Sequence, residues 1–322
     1  MLKQFLSFVS LIVFIFSCST NSSDSVDGKI VLGFAQVGAE SEYRTANTRS
    51  IREAASNAGI ELVFSDAQQK QENQIKAIRS FIARKVDAIA FSPVVESGFE
   101  AVMQEAKAAN IPIIVTDRRA SVSSDDLYVA FIGSDFIEEG KKAANWLIGY
   151  MKEIGRDSEQ LNIVELQGTV GSSPANDRQK GFGEVISKHP NYKIVRSQTG
   201  DFTRAKGKEV MEAFLKAESK IDVLFAHNDD MAIGAIQAIE EAGKIPGKDI
   251  VIVSIDGVRG AFEAMIAGKL NCTIECNPLF GPLLMETIKK VVAGETVPRE
   301  IFVEESIFPA EVAAKEFPNR QY

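Results

Sequence analysis

Asn228, Asp229 and Asp230 follow the apolar run 223–226 (VLFA) and stand just before a stretch of helical period that begins at Met231. Amide and carboxyl groups bunched where a buried strand ends face the crevice beyond it, beside the free N–H groups of the next helix. Two roles fit such residues. They can cap the helix, since Asn and Asp are favoured N-caps, or they can hold a ligand. The expectation is that Asn228 faces a ligand while Asp229 or Asp230 caps the helix.

Comparable groups stand beyond the other apolar runs. Glu40, Ser41, Tyr43 and Arg44 follow the first, Asp117 and Arg118 the fourth, and Arg178 lies after Glu165. Asp201, Phe202 and Asp256 complete the set. Acid, base, amide and aromatic alternate, which suits a polyhydroxylated ligand. Carboxylates accept from hydroxyls, guanidinium forks donate to them, and an amide does both. An aromatic ring covers an apolar C–H face and expels water, which strengthens the hydrogen bonds around it. Each residue also has a plainer reading: Asp117-Arg118 as a surface ion pair, Asp256-Gly257 as a turn, Arg178 as a solvated side chain. Tyr43 and Phe202, aromatics in polar loops, resist that reading. His227 is expected to pack as a strand residue, and His189, beside Pro190, to be exposed.

The elements that must position these groups alternate along the chain. Strands are expected at 30–35, 60–64, 87–92 and 111–116, and helices at 45–58, 72–84 and 99–109. After 127–133 the alternation resumes with helices at 141–151, 177–188, 205–216 and 231–242 between strands at 161–166, 193–197, 223–226 and 250–254. A helix at 262–267, a strand at 271–276, a helix at 283–292 and a strand at 301–303 remain to be shared. Repeated βα units imply parallel sheets covered by helices on both faces, and continuous apolar runs suit strands buried on both sides. The fold class is therefore α/β, with two doubly wound parallel-sheet lobes. No Gly/Ser linker divides the two series, so the chain is expected to cross between lobes more than once.

The chain has 322 residues, 45% hydrophobic and 25% charged, long enough for two domains with separate cores. A net charge of −8 and a pI near 5.1 speak against nucleic acid as a partner. Lys3, an apolar run over 5–16 and Ser17-Cys18 read as a signal peptide over 1–17. Ile15-Phe16-Ser17-Cys18 resembles a bacterial lipobox, which would make Cys18 a lipid anchor and 18–28 a flexible tether. Cys272 and Cys276, four apart on a strand, would sit about 13 Å from each other, too far for a disulfide. They read as small buried apolar groups.

Several segments together resemble the ribose-type periplasmic sugar-binding proteins of ABC importers: 33–44 (GFAQVGAESEYR), 68–74 (QQKQENQ), 165–171 (ELQGTVG), Asp177-Arg178, 197–204 (SQTGDFTR), 226–231 (AHNDDM) and 254–257 (SIDG). The similarity runs from Lys29 onward, and within the family it is greatest to the galactofuranose binders. It implies that Glu40, Ser41, Tyr43, Arg44, Asp117 and Arg118 hold a monosaccharide from one lobe, with Tyr43 as a stacking ring. Arg178, Phe202, Asn228 and Asp256 would hold it from the other, with Phe202 as the second ring. Cys276 falls where ribose binders place a Gln, which points away from ribose. The resemblance further implies crossings near 133–135, 276–277 and 305–307. These divide the chain into an N-terminal lobe of 29–134 with 277–305 and a C-terminal lobe of 135–276 with 306–322. It implies hinge closure on the sugar, delivery by a monomer to a membrane permease and its ATPase, and a place in the periplasm or on the cell surface, held to a membrane only by lipid. Coupling to a chemoreceptor or sensor kinase is the alternative.

An enzyme is not expected. The two His are far apart, and there is no G-x-S-x-G, no P-loop and no metal-ligand spacing. No cofactor is called for.

Overall fold

The computed structural model describes residues 28–322. The signal peptide and the Cys18 anchor lie outside the described residues. The first series runs β1 (Val31–Gln36), α1 (Glu42–Ala58), β2 (Glu61–Asp66), α2 (Gln71–Arg84), β3 (Ala88–Phe91), α3 (Glu100–Ala108), β4 (Ile113–Thr116) and β5 (Ala130–Gly133). The second runs α4 (Phe136–Glu153), β6 (Leu161–Gln167), α5 (Ser173–Ile186), β7 (Tyr192–Thr199), α6 (Arg204–Ala217), β8 (Val223–Ala226), α7 (Asp229–Glu241), β9 (Val251–Asp256), α8 (Arg259–Ile266) and β10 (Cys272–Glu275). Four elements follow: α9 (Gly281–Val292), β11 (Glu300–Phe302), β12 (Ile307–Pro309) and α10 (Ala310–Glu316).

The strands form two sheets with matching orders, β2-β1-β3-β4-β5-β11 and β7-β6-β8-β9-β10-β12. All pairings are parallel except that of β12 with β10. Central strands β3, β4, β8 and β9 are buried along their whole length, as their unbroken apolar runs require. The edge strands β2 and β7 are mostly exposed or half-buried and carry charge. Between β5 and α4, between β10 and α9, and between β11 and β12 the chain passes from one sheet to the other. Thus α9 returns to pack Leu284, Met285 and Ile288 against Ile51 and Ala55 of α1.

Several helices begin earlier than their apolar period indicates. α1 starts at Glu42, α4 at Phe136 and α5 at Ser173, because Ser41 and Asp135 cap the first two and Pro174 sits in the first turn of the third. α10 has no counterpart among the expected helices: it is short, and Ala313 is its buried residue. His189 is half-buried against Tyr192, at 5.8 Å between rings, rather than exposed.

Helices α4 and α5 meet at glycines. A Cβ added to Gly140 of α4 would lie 2.3 Å from the Arg178 carbonyl oxygen, and one on Gly181 of α5 2.0 Å from that of Ile137. Only glycine lets the backbones approach this closely. The approach sets Glu139 of α4 beside Arg178 of α5.

Candidate functional site

Both sheets turn their C-terminal edges toward one shared cavity, closed down so far that only about 20 Å³ of it admits water. Glu40, Ser41, Tyr43, Arg44, Asp117, Arg118, Arg178, Phe202, Asn228 and Asp256 all line it, together with Phe136, Pro174 and Cys276. The Asp117-Arg118 pair is buried, as is Arg178, so neither is a surface feature.

The wall formed by the first sheet is a charged network. Arg44, in the first turn of α1, reaches Glu40 Oε1 at 3.1 Å, Gln36 Oε1 at 3.2 Å and Asp117 Oδ2 at 2.6 Å. Tyr43 donates its hydroxyl to Asp117 Oδ1 at 2.9 Å. Arg118 donates to the Val94 carbonyl at 2.9 Å and lies 3.5 Å from Glu40, while its Nε has no hydrogen-bond partner. Burial alone would raise the Asp117 carboxyl, but Arg44 and Arg118 overcome it and hold it below the usual carboxylate range. Burial and the neighbouring Arg44 charge push Arg118 down to about 10, against the pull of Glu40 and Asp117.

The opposite wall centres on Arg178. Its Nε donates to Glu139 Oε2 at 2.7 Å, its Nη1 to the His227 carbonyl at 2.5 Å, and its Nη2 lies 3.7 Å from Asp256. Burial drives the Asp256 carboxyl well up, more than Arg178 can offset. The Phe202 ring lies over Gly168, where an added Cβ would fall 1.9 Å from Cζ, and the guanidinium carbons of Arg118 and Arg178 stand 5.2 and 5.9 Å from its centroid. Two cations thus stand near the ring and help to hold it. His227 packs as expected and does not line the cavity. Its Nδ1 accepts from the Gly168 N–H at 3.4 Å, so Nε2 carries the proton and donates to Glu165 at 3.1 Å.

The division of labour at the end of β8 differs from the sequence expectation. Asn228 itself is the N-cap of α7, its Oδ1 accepting from Met231 N at 3.0 Å while Nδ2 donates to the Phe202 carbonyl at 3.2 Å. Asp229 and Asp230 lie one and two residues inside the helix and do other work. Asp229 accepts from Ser254, Thr273 and the Gly257 and Val258 N–H groups, tying α7 to β9 and β10. Asp230 accepts from Glu42 N at 2.7 Å and from Arg204 at 2.8 Å. The cap goes to Asn228 because its extended backbone (φ −151°) precedes the first helical turn. Its second Nδ2 hydrogen remains for the cavity. Asn228→Ala should therefore lose both roles, costing about 1 kcal/mol of stability by urea denaturation. Asn228→Ser should keep the cap but lose the amide donor, so ligand affinity should fall while the midpoint hardly moves.

Backbone strain gathers at the same place. Of eight non-glycine residues with positive φ among those described, Asp117 (57°), Asp201 (52°), Phe202 (60°) and Asp256 (134°) lie at or beside the cavity. Such conformations persist where the surroundings over-determine them.

The rim is closed by contacts between the two halves. On one side Glu42 pairs with Arg204 at 2.7 Å and accepts from Gly260 N at 3.3 Å. On the other, Glu96 N donates to the Gly171 carbonyl at 2.9 Å, and Asn176 donates to Glu96 at 3.0 Å. Entry of a ligand requires these contacts to part. Among the described residues, no helix is long and apolar enough to cross a membrane.

A family model described as a periplasmic binding protein domain matches residues 32–296. A galactofuranose-binding protein of Escherichia coli (strain K12) is 48% identical over 298 residues, covering 92% of each chain. A solved structure from Mycobacterium smegmatis, in complex with β-D-fucofuranose, is 55% identical with a TM-score of 0.88, over 91% of this chain and 95% of that one. The binding component of an arabinose ABC transporter from Shewanella sp. ANA-3, bound to α- and β-L-arabinofuranose, is 49% identical with a TM-score of 0.86, over 90% and 95% of the two chains.

Proposed function

The chain belongs to the periplasmic binding protein family, and on that premise we propose that it captures a monosaccharide in five-membered-ring form, galactofuranose or a related aldose, and delivers it to an ABC permease. The observation that carries this reading is the cavity: it is walled by both sheets, lined by buried ionic groups and capped by the Phe202 ring. Each ring hydroxyl would meet a charged or amide partner, and a wrong epimer would leave one unpaired, at about 1–3 kcal/mol. The sugars named with the three relatives share a furanose ring and differ in the exocyclic arm. Glu40, Ser41, Tyr43, Arg44, Asp117 and Arg118 would hold the ring from one lobe, and Arg178, Phe202, Asn228 and Asp256 from the other.

Closure follows from the three crossings, which serve as the hinge. A sugar that bridges the walls stabilises the closed form by contacts the open form lacks. The relatives are binding proteins rather than enzymes, and the same role is assigned here. Working as a monomer in the periplasm or at the cell surface, with Cys18 as its lipid anchor, the protein would present the loaded closed form to the permease.

A thermal-shift panel of L-arabinose, D-galactose, D-fucose, D-ribose and D-glucose tests this. At 100 times Kd a ligand adds about 2.7 kcal/mol. The sugars that form the shared furanose should give the largest shifts. A largest shift with ribose or glucose would remove the furanose assignment, and no shift with any sugar would remove the binding reading.

A further inference from the structure

The three crossings meet at one cluster. Ser134 belongs to the first, Cys276 and Asn277 to the second and Glu305 to the third, with Glu139 of α4 against them. One acidic or thiol atom from each of Glu139, Cys276 and Glu305 lies within 4.8 Å of the others. The hydrogens can be counted. Ser134 donates its hydroxyl to Glu305 Oε1, which also accepts from Asn277 N at 3.4 Å. With that hydrogen spent, the Ser134 Oγ to Cys276 Sγ contact at 3.4 Å takes its hydrogen from the thiol. Glu139 Oε2 is paired with Arg178, yet Glu139 Oε1 is buried with no partner. Among the described residues two side chains face it with a hydrogen to offer, Cys276 and Glu305; the thiol is turned to Ser134, which leaves Glu305, and a carboxyl group donates only when protonated.

The geometry points to a proton-binding site in the hinge: in the closed form Glu305 is a carboxylic acid that donates to the Glu139 carboxylate, and opening releases that proton. This rests on the reading that the halves close on a sugar. Among the described residues Arg178 is the one cation ion-paired to the cluster's side chains, and it neutralises Glu139; Lys142 of α4 reaches the Glu305 backbone carbonyl at 3.2 Å. The Cys276 thiol is pushed well up by burial and by Glu139, so it stays neutral. Burial, then the adjacent Glu139, pushes Glu305 up to about 9. Once opening turns the crossings about one another, draws Glu139 of α4 away and admits water, Glu305 returns toward the ordinary value of about 4.3. Between those two values closure must take up a proton. Affinity is therefore greatest at the acid end of the window and falls as pH rises through it.

The test is calorimetric titration of the full-length protein with L-arabinose and with D-galactose, at about pH 8, in buffers of low and high ionisation heat. Wild type should take up roughly 0.5–1 proton per sugar, and its affinity should fall by up to tenfold per pH unit between about pH 6 and 8.5. Glu305→Gln reproduces the shape and donor of the protonated acid, so it should fold and bind, take up correspondingly fewer protons, and show a flatter pH profile. Uptake in the variant equal to wild type, or no uptake in wild type, would overturn the proposal while leaving the sugar-binding reading intact. Heat from neither sugar would instead strike at that reading, and this inference would fall with it.

Discussion

Replacing Arg178 with methionine is expected to abolish sugar-dependent stabilisation and to lower folding stability by roughly 3–5 kcal/mol, the usual consequence of breaking a buried pair from one side. The side chain neutralises Glu139 at 2.7 Å, holds the His227 carbonyl at 2.5 Å and stands over Phe202. Without it Glu139 is a buried carboxylate with no counter-charge. That burial already drives Glu139 upward while Arg178 pulls it down. The loss should therefore be worst at neutral and higher pH and partly recovered in acid, where Glu139 can protonate. Removing the stranded charge as well, in Arg178→Met with Glu139→Leu, should restore much of the stability and none of the binding. Urea denaturation and calorimetry of the two variants read the two effects separately. Sugar binding that survives in either variant would show that Arg178 is a structural residue only.

Phe202→Ala should weaken sugar binding by roughly 100-fold, about 2.7 kcal/mol, through the apolar face it leaves to water. The folding cost should fall short of the 3–5 kcal/mol typical of a core Phe→Ala change, because the space left behind joins the ligand cavity. The backbone supplies a sharper test. Phe202 has φ of 60°, next to Asp201 at 52°. A conformation of this kind costs about 1 kcal/mol or more for a residue with a Cβ and little for glycine. Phe202→Gly should therefore be more stable than Phe202→Ala by about 1 kcal/mol, the reverse of the order in a helix or strand, while binding as poorly. Equal or inverted stabilities would mean that the ring, not the loop, sets that geometry.

The sheets are legible because buried parallel strands are written as unbroken apolar runs. 88–91 and 223–226 are such runs. Helix starts are less so, for a physical reason. The first turns of α1 and α4 carry Tyr43, Arg44 and Phe136 toward the cavity, and these residues break the apolar period that would mark the helix. The cap at α7 is ambiguous in the sequence because three consecutive residues share the same cap preference. The choice between them is made by where β8 ends, one residue before His227. Glu139 and Glu305 carry no local signal. Glu139 sits inside a helix and Glu305 in a loop 166 positions later, and they acquire meaning only when the crossings meet. Cys276 stands out by where it falls in the family pattern, but its contact with Ser134 is not readable from that.

The two late strands have a consequence for how the molecule is made. β11 completes one sheet and β12 the other, so each sheet lacks an edge until residues 300–309 are available to pair. Contacts of such long sequence separation form slowly. Neither half is complete until this segment is in place, and the third crossing is part of the same segment.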